Sequence, residues 1–106
     1  MDLHGKKVLV VGLARTGIAT AKFLKEKGSV VTTSEMKPKE EIGEAVQELK
    51  GLDLFTEWGG HRKETFLRQD IILVSPGVDL NIEPIQEAMR NGVRVISEIC
   101  PPADRP

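Results

Sequence analysis

The chain has 106 residues, which favours a single domain and is too short for a nucleotide-dependent enzyme with a separate substrate domain. Hydrophobic residues make up 40% and charged residues 29%, an ordinary composition for a soluble globular protein. The net charge of -1 gives no support to a nucleic-acid or acidic-membrane partner. Any anion that the chain binds must therefore be held by local geometry.

The N-terminus and the cysteine content predict a cytoplasmic protein. Residues 1–5 are polar and lead directly into a strand, and no signal peptide or membrane-length apolar run is predicted. Cys100 is the single cysteine, so it cannot form an internal disulfide. Because the sequence has no CxxC motif and no Cys/His cluster, we expect no metal site in this chain.

The first half of the chain predicts two strand–helix units. Residues 8–11 form a short apolar run rich in valine, typical of a strand that is buried on both faces of a parallel sheet. A helix is predicted over residues 16–27 and ends at Gly28, and a second strand is predicted over residues 30–33. The next helix is expected to begin at Pro38, because the apolar residues that follow have amphipathic spacing.

The second half predicts three further strands and two helices. The strands are expected over residues 52–55, 71–74 and 93–96. A brief helix is predicted over residues 61–68, and a final helix is expected to begin at Pro84. Strands and helices thus alternate along the chain, which predicts βαβ units with right-handed crossovers.

This alternation predicts a Rossmann-like α/β domain of three layers, in which a five-stranded parallel sheet is flanked by about four helices. The domain is expected to span residues 1–99. Residues 100–106 are rich in proline and are interpreted as a linker or a truncated end.

A glycine-rich turn joins the first predicted strand to the first helix. Residues 12–17 read G-x-A-x-x-G, with Ala14 where a second glycine is usual. Gly12 would allow the tight turn, Ala14 would let main-chain amides approach a phosphate, and Gly17 would let the helix pack closely. The helix N-terminus would then offer unpaired N–H groups to a diphosphate. The alternative is a turn that needs its glycines for packing alone.

Two further segments follow strands at the edge where open α/β sheets bind ligands. Glu35 stands 23 residues after Gly12, and in dinucleotide-binding folds an acid at about 20 residues accepts a hydrogen bond from a ribose hydroxyl. Ser75, Pro76 and Gly77 end the fourth strand, where Pro76 would stiffen the loop and Gly77 would permit a positive φ. The alternatives are an acid that merely precedes a helix and an ordinary strand end.

The remaining polar residues are interpreted as structural. His4 and His61 have no carboxylate or cysteine at catalytic spacing, so each is expected at the surface or in a loop, and Trp58 is expected to pack locally. The sequence contains no G-x-S-x-G elbow and no G-x-x-x-x-G-K-[ST] phosphate loop. We therefore predict no catalytic, metal-binding or cofactor-binding residue in this chain.

Taken together, these segments resemble the N-terminal domain of the Mur ligase family, and in particular its D-glutamate-adding members. The resemblance is carried by residues 7–17, 33–37, 59–61, 74–78 and 95–99. It covers nearly the whole chain, from residue 6 to residue 99, and the order and spacing of the segments are more specific than any one of them.

The resemblance implies a three-domain ligase of which only the first domain is present. In the family reaction, which belongs to peptidoglycan synthesis, ATP and Mg²⁺ convert the carboxylate of UDP-N-acetylmuramoyl-L-alanine to an acyl phosphate, and the amine of D-glutamate attacks it to form an amide. This chain would bind the UDP-sugar with no cofactor of its own. It would be inactive without the central and C-terminal domains.

The resemblance also implies which residues bind the UDP-sugar. Those expected at the diphosphate are Gly12, Ala14, Arg15, Thr16 and Gly17. Those expected beside the uracil and the ribose are Glu35, Met36 and Lys37. Those expected to line the pocket near the diphosphate and the sugar are Ser75, Pro76 and Gly77. Two departures stand out: Glu35 replaces a common aspartate, and Met36 lacks a hydroxyl that could meet the uracil.

Two other functions are compatible with the same residues. The turn and the acid also occur in NAD(P)-binding domains of oxidoreductases, because both ligands place a diphosphate at a helix N-terminus. A regulatory nucleotide-sensing module without chemistry is the second alternative. The Ser-Pro-Gly loop and the absence of a sixth predicted strand favour the ligase.

Overall fold

A computed structural model describes residues 3–52 and 54–97 of the chain. In these residues five strands alternate with four α-helices. Their bounds are β1 (Lys7–Val11), α1 (Arg15–Glu26), β2 (Val30–Glu35), α2 (Gly43–Leu49), β3 (Phe55–Trp58), α3 (Lys63–Leu67), β4 (Ile71–Val74), α4 (Glu83–Arg90) and β5 (Arg94–Ile96). A single 3₁₀ turn, Lys39–Glu41, precedes α2.

The strands form one parallel sheet in the order β3-β2-β1-β4-β5. β1 lies at its centre, where Val8 pairs with Val31 of β2 on one side and with Ile71 of β4 on the other. A central parallel strand is covered by helices on both faces, so it must be apolar on both. The valine-rich run of β1 is therefore what this position requires.

Alternate residues of β1 point into two separate cores. Val8 and Val10 face α1 and α2, whereas Leu9 and Val11 face α3 and α4, and all four side chains are fully buried. The helices complete each core with small and branched side chains, which allow close packing on the sheet. Those on the first face are Ala21, Leu24, Ala45 and Leu49, and those on the second are Phe66, Ile85 and Ala88.

The predicted three-layer Rossmann-like fold is confirmed, but two element predictions were wrong in detail. The third strand is Phe55–Trp58 rather than residues 52–55, because Phe55 is the first residue to pair with β2, while Leu52 and Leu54 pack against the core on the α1 and α2 face of the sheet. The segment after Pro38 makes only a 3₁₀ turn. There the chain breaks at Ile42 (φ -131°, ψ 56°) before α2 begins.

The proposed linker at residues 100–106, with Cys100, lies outside the described residues. Among the described residues, the longest helix is the 12-residue α1, and no helix is long and apolar enough to cross a bilayer.

Candidate functional site

The strand order places a crevice at the carboxyl edge of the sheet, between β1 and β4. The chain adds β2 and β3 on one side of β1 and then crosses to add β4 and β5 on the other. The loop after β1 therefore leads to a helix on one face of the sheet, and the loop after β4 leads to a helix on the opposite face. Open α/β sheets bind their ligands at such a topological switch point.

The turn after β1 is shaped by close backbone contacts. Gly12 has a φ of +91° and donates its N–H to Ser34 O at 2.8 Å, which continues the ladder of β1 for one more bond. A Cβ on Gly17 would lie 2.1 Å from the carbonyl oxygen of Gly12. Only glycine lets the first turn of α1 approach the strand end this closely. Packing thus accounts for both glycines of the motif.

The N-terminus of α1 carries main-chain donors that the rest of the described protein does not use. Ala14 is the N-cap in extended conformation, no side chain caps the helix, and its first turn contains no acidic residue. The first hydrogen bond of the helix runs from Ile18 N to Ala14 O at 3.0 Å. Within residues 3–52 and 54–97, no acceptor is found for the N–H groups of residues 14–17. Such a terminus favours an anion.

The amide of Leu13, just before this terminus, is already occupied. Glu35 accepts a hydrogen bond from Leu13 N–H through Oε1 at 2.7 Å and another from Lys37 N–H through Oε2 at 2.9 Å. The carboxylate therefore ties the turn after β1 to the end of β2. Each oxygen retains a lone pair, so a ligand hydroxyl could still donate to it.

The loop after β4 closes the crevice from the other side. Ser75 is 2% exposed, and its hydroxyl donates to Gly12 O at 2.8 Å, so this side chain joins two loops rather than facing solvent. Pro76 and Gly77 are exposed, and Gly77 has the expected positive φ, +92°. The exposed surface of this loop therefore comes from Pro76 and Gly77.

Two cations and one apolar side chain lie at the same edge. Arg15 begins α1 and Lys37 follows β2; both are exposed, and neither joins an ion pair found among residues 3–52 and 54–97. Met36 is 56% exposed. The edge thus combines positive charge with an apolar surface, a pairing that suits a phosphate joined to a flat ring.

A wide groove with a volume of about 1010 Å³ also runs between α1 and α2. It includes Ala14 and Arg15, but three carboxylates, Glu41, Glu44 and Glu48, are also among its lining residues. Glu48 is paired with Lys22 of α1, and the ammonium lowers the pKa of that carboxyl. Because carboxylates repel a diphosphate, we place the candidate site at the crevice and not along this groove.

His61 lies in a loop, one of the two positions that the sequence predicts, but it also makes two specific contacts there. Its Nδ1 lies 2.6 Å from Ser34 Oγ, and its ring meets Phe66 edge to face with centroids 5.8 Å apart. Partial burial lowers the pKa of His61 below 6.5, while the Glu35 and Glu57 carboxylates act in the opposite direction. The sequence offered one signal, the Gly59-Gly60-His61 run, which directly follows β3 in the structure.

His4 and Trp58, which the sequence analysis interpreted as structural, both make packing contacts. His4 packs beside Gly28 at the amino ends of the strands, and Trp58 packs on the core below α1 and α2. No group of three or more His, Cys, Asp or Glu side chains that could hold a metal occurs in the part of the chain that the structure describes.

The sheet order, the glycine turn and the uncapped helix at the switch point define a Rossmann-like α/β domain. The chain belongs to the family described as Mur ligase MurD-like, N-terminal domain, whose model matches residues 6–97.

Similar proteins agree with this assignment. The chain is 50% identical over 99 residues to UDP-N-acetylmuramoylalanine–D-glutamate ligase of Geotalea daltonii, and 44% identical over 99 residues to the ligase of the same name from Geobacter sp. strain M21. Each match covers 93% of this chain and 22% of the relative, so the chain spans less than a quarter of the length of these ligases.

A solved structure shares the fold. The pseudomurein peptide ligase type C of Methanothermus fervidus superposes with a TM-score of 0.65 at 23% identity, over 94% of this chain and 20% of that one.

Proposed function

We propose that this chain is the UDP-sugar-binding domain of a cytoplasmic ligase that adds D-glutamate to UDP-N-acetylmuramoyl-L-alanine. One observation carries the binding role: the N–H groups of residues 14–17 have no acceptor among the described residues and lie at the switch point of the sheet. The identity of the ligand rests on the family and on the name of relatives as much as 50% identical to this chain.

The diphosphate would bind at the start of α1. The amides of residues 14–17 would donate to its oxygens, Gly12 and Gly17 would keep the turn narrow, and the guanidinium of Arg15 would add a charged donor. Hydrogen bonds to a charged group contribute about 1.5–3 kcal/mol each, which exceeds the contribution of the helix dipole, about 0.3–1 kcal/mol. Arg15 is therefore expected to contribute more than the dipole does.

The uracil and the ribose would lie beside the end of β2. Met36 offers an exposed apolar surface for a flat ring, and the free lone pairs of the Glu35 carboxylate are acceptors for ribose hydroxyls. Lys37 would add positive charge. Pro76 and Gly77 would cover the ligand from the loop after β4, which the buried Ser75 holds against the turn.

We expect the ATP and Mg²⁺ that such a ligase uses to bind outside this chain, because the sequence has no G-x-x-x-x-G-K-[ST] loop. We therefore propose that the chain contributes substrate binding. The phosphoryl transfer would require the central and C-terminal domains of a longer protein.

Titration calorimetry with UDP, UDP-N-acetylmuramoyl-L-alanine and NADH tests the proposal directly. We expect both uridine ligands to bind and NADH not to bind. NADH is the informative comparison ligand because Glu35 stands at the spacing typical of ribose recognition in dinucleotide-binding domains. Binding of NADH without either uridine ligand would establish the oxidoreductase alternative instead.

Arg15→Ala is expected to weaken UDP binding by about tenfold or more, because it removes a charged donor. Thr16→Ala should weaken it by a smaller factor. Arg15 is exposed, Thr16 is half-buried, and neither belongs to the two cores, so the thermal unfolding midpoint should stay within a few degrees of the wild type. Arg68→Ala, an exposed arginine after α3, serves as the charge-matched control. Unchanged UDP affinity in both Arg15 and Thr16 variants would place the diphosphate elsewhere.

A further inference from the structure

The loop that joins β3 to α3, residues 59–62, lies against the end of β2. Gly60 N–H donates to Glu35 O at 3.1 Å, and Gly59 N–H donates to Lys37 O at 3.1 Å. Both glycines have a positive φ, +77° at Gly59 and +151° at Gly60, which lets the loop turn its amides toward β2. The main chain of residues 35–37 is thus hydrogen-bonded to a loop that is not part of the sheet.

A side-chain contact fastens this loop. Ser34 is fully buried at the end of β2, and its Oγ lies 2.6 Å from His61 Nδ1 and 3.4 Å from Gly60 O. A hydroxyl has one proton, so the arrangement that uses both contacts has His61 Nδ1–H donating to Ser34 Oγ and the hydroxyl donating to Gly60 O. Phe66 of α3 supports the ring from its side.

A serine and a histidine at this distance can also form a nucleophile–base pair, but their surroundings exclude that role. Ser34 has no exposed surface, so no substrate can reach its oxygen. The contact instead joins a β2 residue to a loop residue 27 positions away. The contact therefore helps to hold residues 35–37, whose main chain is hydrogen-bonded to the same loop.

We propose that His61 is a positioning residue for the uridine end of the substrate, because it locks residues 59–62 against the Glu35–Lys37 segment. This inference rests on the proposed function. His61 would not touch the ligand. It would keep the main chain of residues 35–37 in place, and with it the carboxylate of Glu35 and the exposed side chains of Met36 and Lys37.

The phosphate end should depend on His61 much less than the uridine end does. The turn after β1 is joined to residues 35–37 by one hydrogen bond, from Leu13 N–H to Glu35 Oε1, but two others hold it independently of that segment: Gly12 N–H to Ser34 O and the Ser75 hydroxyl to Gly12 O. A ligand without a nucleoside, such as inorganic pyrophosphate, needs only that turn and the start of α1. Loss of the His61 contact is therefore expected to separate the affinity for UDP from the affinity for pyrophosphate.

The experiment uses the 106-residue chain with His61→Leu, which removes the polar atom, and His61→Asn, whose amide takes the place of Nδ1. We expect His61→Leu to weaken UDP binding by up to about tenfold, because the stabilisation that one hydrogen bond gives the loop limits the loss, and to leave pyrophosphate binding within about twofold. His61→Asn should restore UDP affinity to within about threefold of the wild type. The emission of Trp58, the single tryptophan and the residue before the loop, should change in His61→Leu but not in His61→Asn.

Two further variants complete the design. Ser34→Ala should reproduce the loss of UDP affinity from the other side of the contact, and it replaces His61→Leu if that variant does not fold. His4→Asn, at the opposite edge of the sheet, is the histidine control and should bind both probes as the wild type does.

The outcomes separate the two proposals. If the wild type binds UDP but the His61 and Ser34 variants bind it equally well, the positioning role is overturned and the proposed function stands. Equal loss of UDP and pyrophosphate affinity, with no rescue by asparagine, would show a general destabilisation and also overturn it. A wild type that binds pyrophosphate but not UDP would overturn the proposed function and this inference together.

Discussion

The two ends of the crevice are built in different ways. At the end where we propose that the phosphates bind, called the phosphate end, the turn after β1 is shaped by glycine sterics, because a Cβ on Gly17 would collide with backbone. At the end where we propose that the uridine binds, called the uridine end, the position of residues 35–37 depends on side chains, since Glu35 and the Ser34–His61 contact hold the main chain from two directions. A side chain added at Gly17 is therefore expected to distort the turn after β1. At residues 35–37, by contrast, a single substitution removes one hydrogen bond and leaves the others in place.

Gly17→Ala should give the largest loss of stability. A small loss would contradict the claim that glycine sterics shape the turn after β1. The new Cβ would lie 2.1 Å from Gly12 O, so α1 must move away from the strand end, and we expect a loss of about 3 kcal/mol in the free energy of unfolding. Urea unfolding followed by circular dichroism measures it. Gly43→Ala is the matched control, because its Cβ would meet nothing within 4 Å and its φ is not positive. There we expect no loss, or a gain of up to about 1 kcal/mol.

Glu35→Gln should have an intermediate effect at the uridine end. The two carboxylate oxygens accept from Leu13 N–H and Lys37 N–H. In glutamine, the NH₂ group would face one of these two N–H groups and could not accept its hydrogen bond. One hydrogen bond is lost, so the free energy of unfolding should fall by about 1–2 kcal/mol. The same urea experiment reports it. Glu26→Gln, on the exposed end of α1, should stay within about 0.5 kcal/mol of the wild type. A Glu35→Gln protein as stable as that control would show that the hydrogen bonds of the Glu35 carboxylate contribute nothing to the free energy of unfolding.

The smallest effect should be a pH dependence that comes from His61. Burial lowers the pKa of this ring in the folded chain below its ordinary 6.5, so below pH 6.5 the unfolded chain binds more protons than the folded one. Stability is therefore fully present above pH 6.5 and declines as the pH falls through the window down to the folded pKa. Thermal unfolding between pH 7.5 and about pH 5 should show a steeper decline for the wild type than for His61→Asn. Equal slopes would mean that the ring is not held in its neutral form.

The sequence by itself determined the local features of this protein. The apolar run of β1 predicted a strand buried on both faces, and alternating strand and helix patterns predicted the parallel three-layer fold, because each depends on neighbouring residues and on a period of two or 3.6. The G-x-A-x-x-G spacing located the turn after β1 for the same reason. The position of this turn and of the helix that follows it was therefore predictable.

Only the tertiary structure decided which distant groups meet. The contact of Ser75 with Gly12 joins residues 63 positions apart, and it gives the serine a structural role in holding two loops together. The Ser34–His61 contact and the hydrogen bond from Leu13 N–H to Glu35 likewise depend on the strand order, which places the ends of β1, β2 and β3 side by side. Hydrogen bonds between separate segments have no sequence period, so no local pattern could predict them.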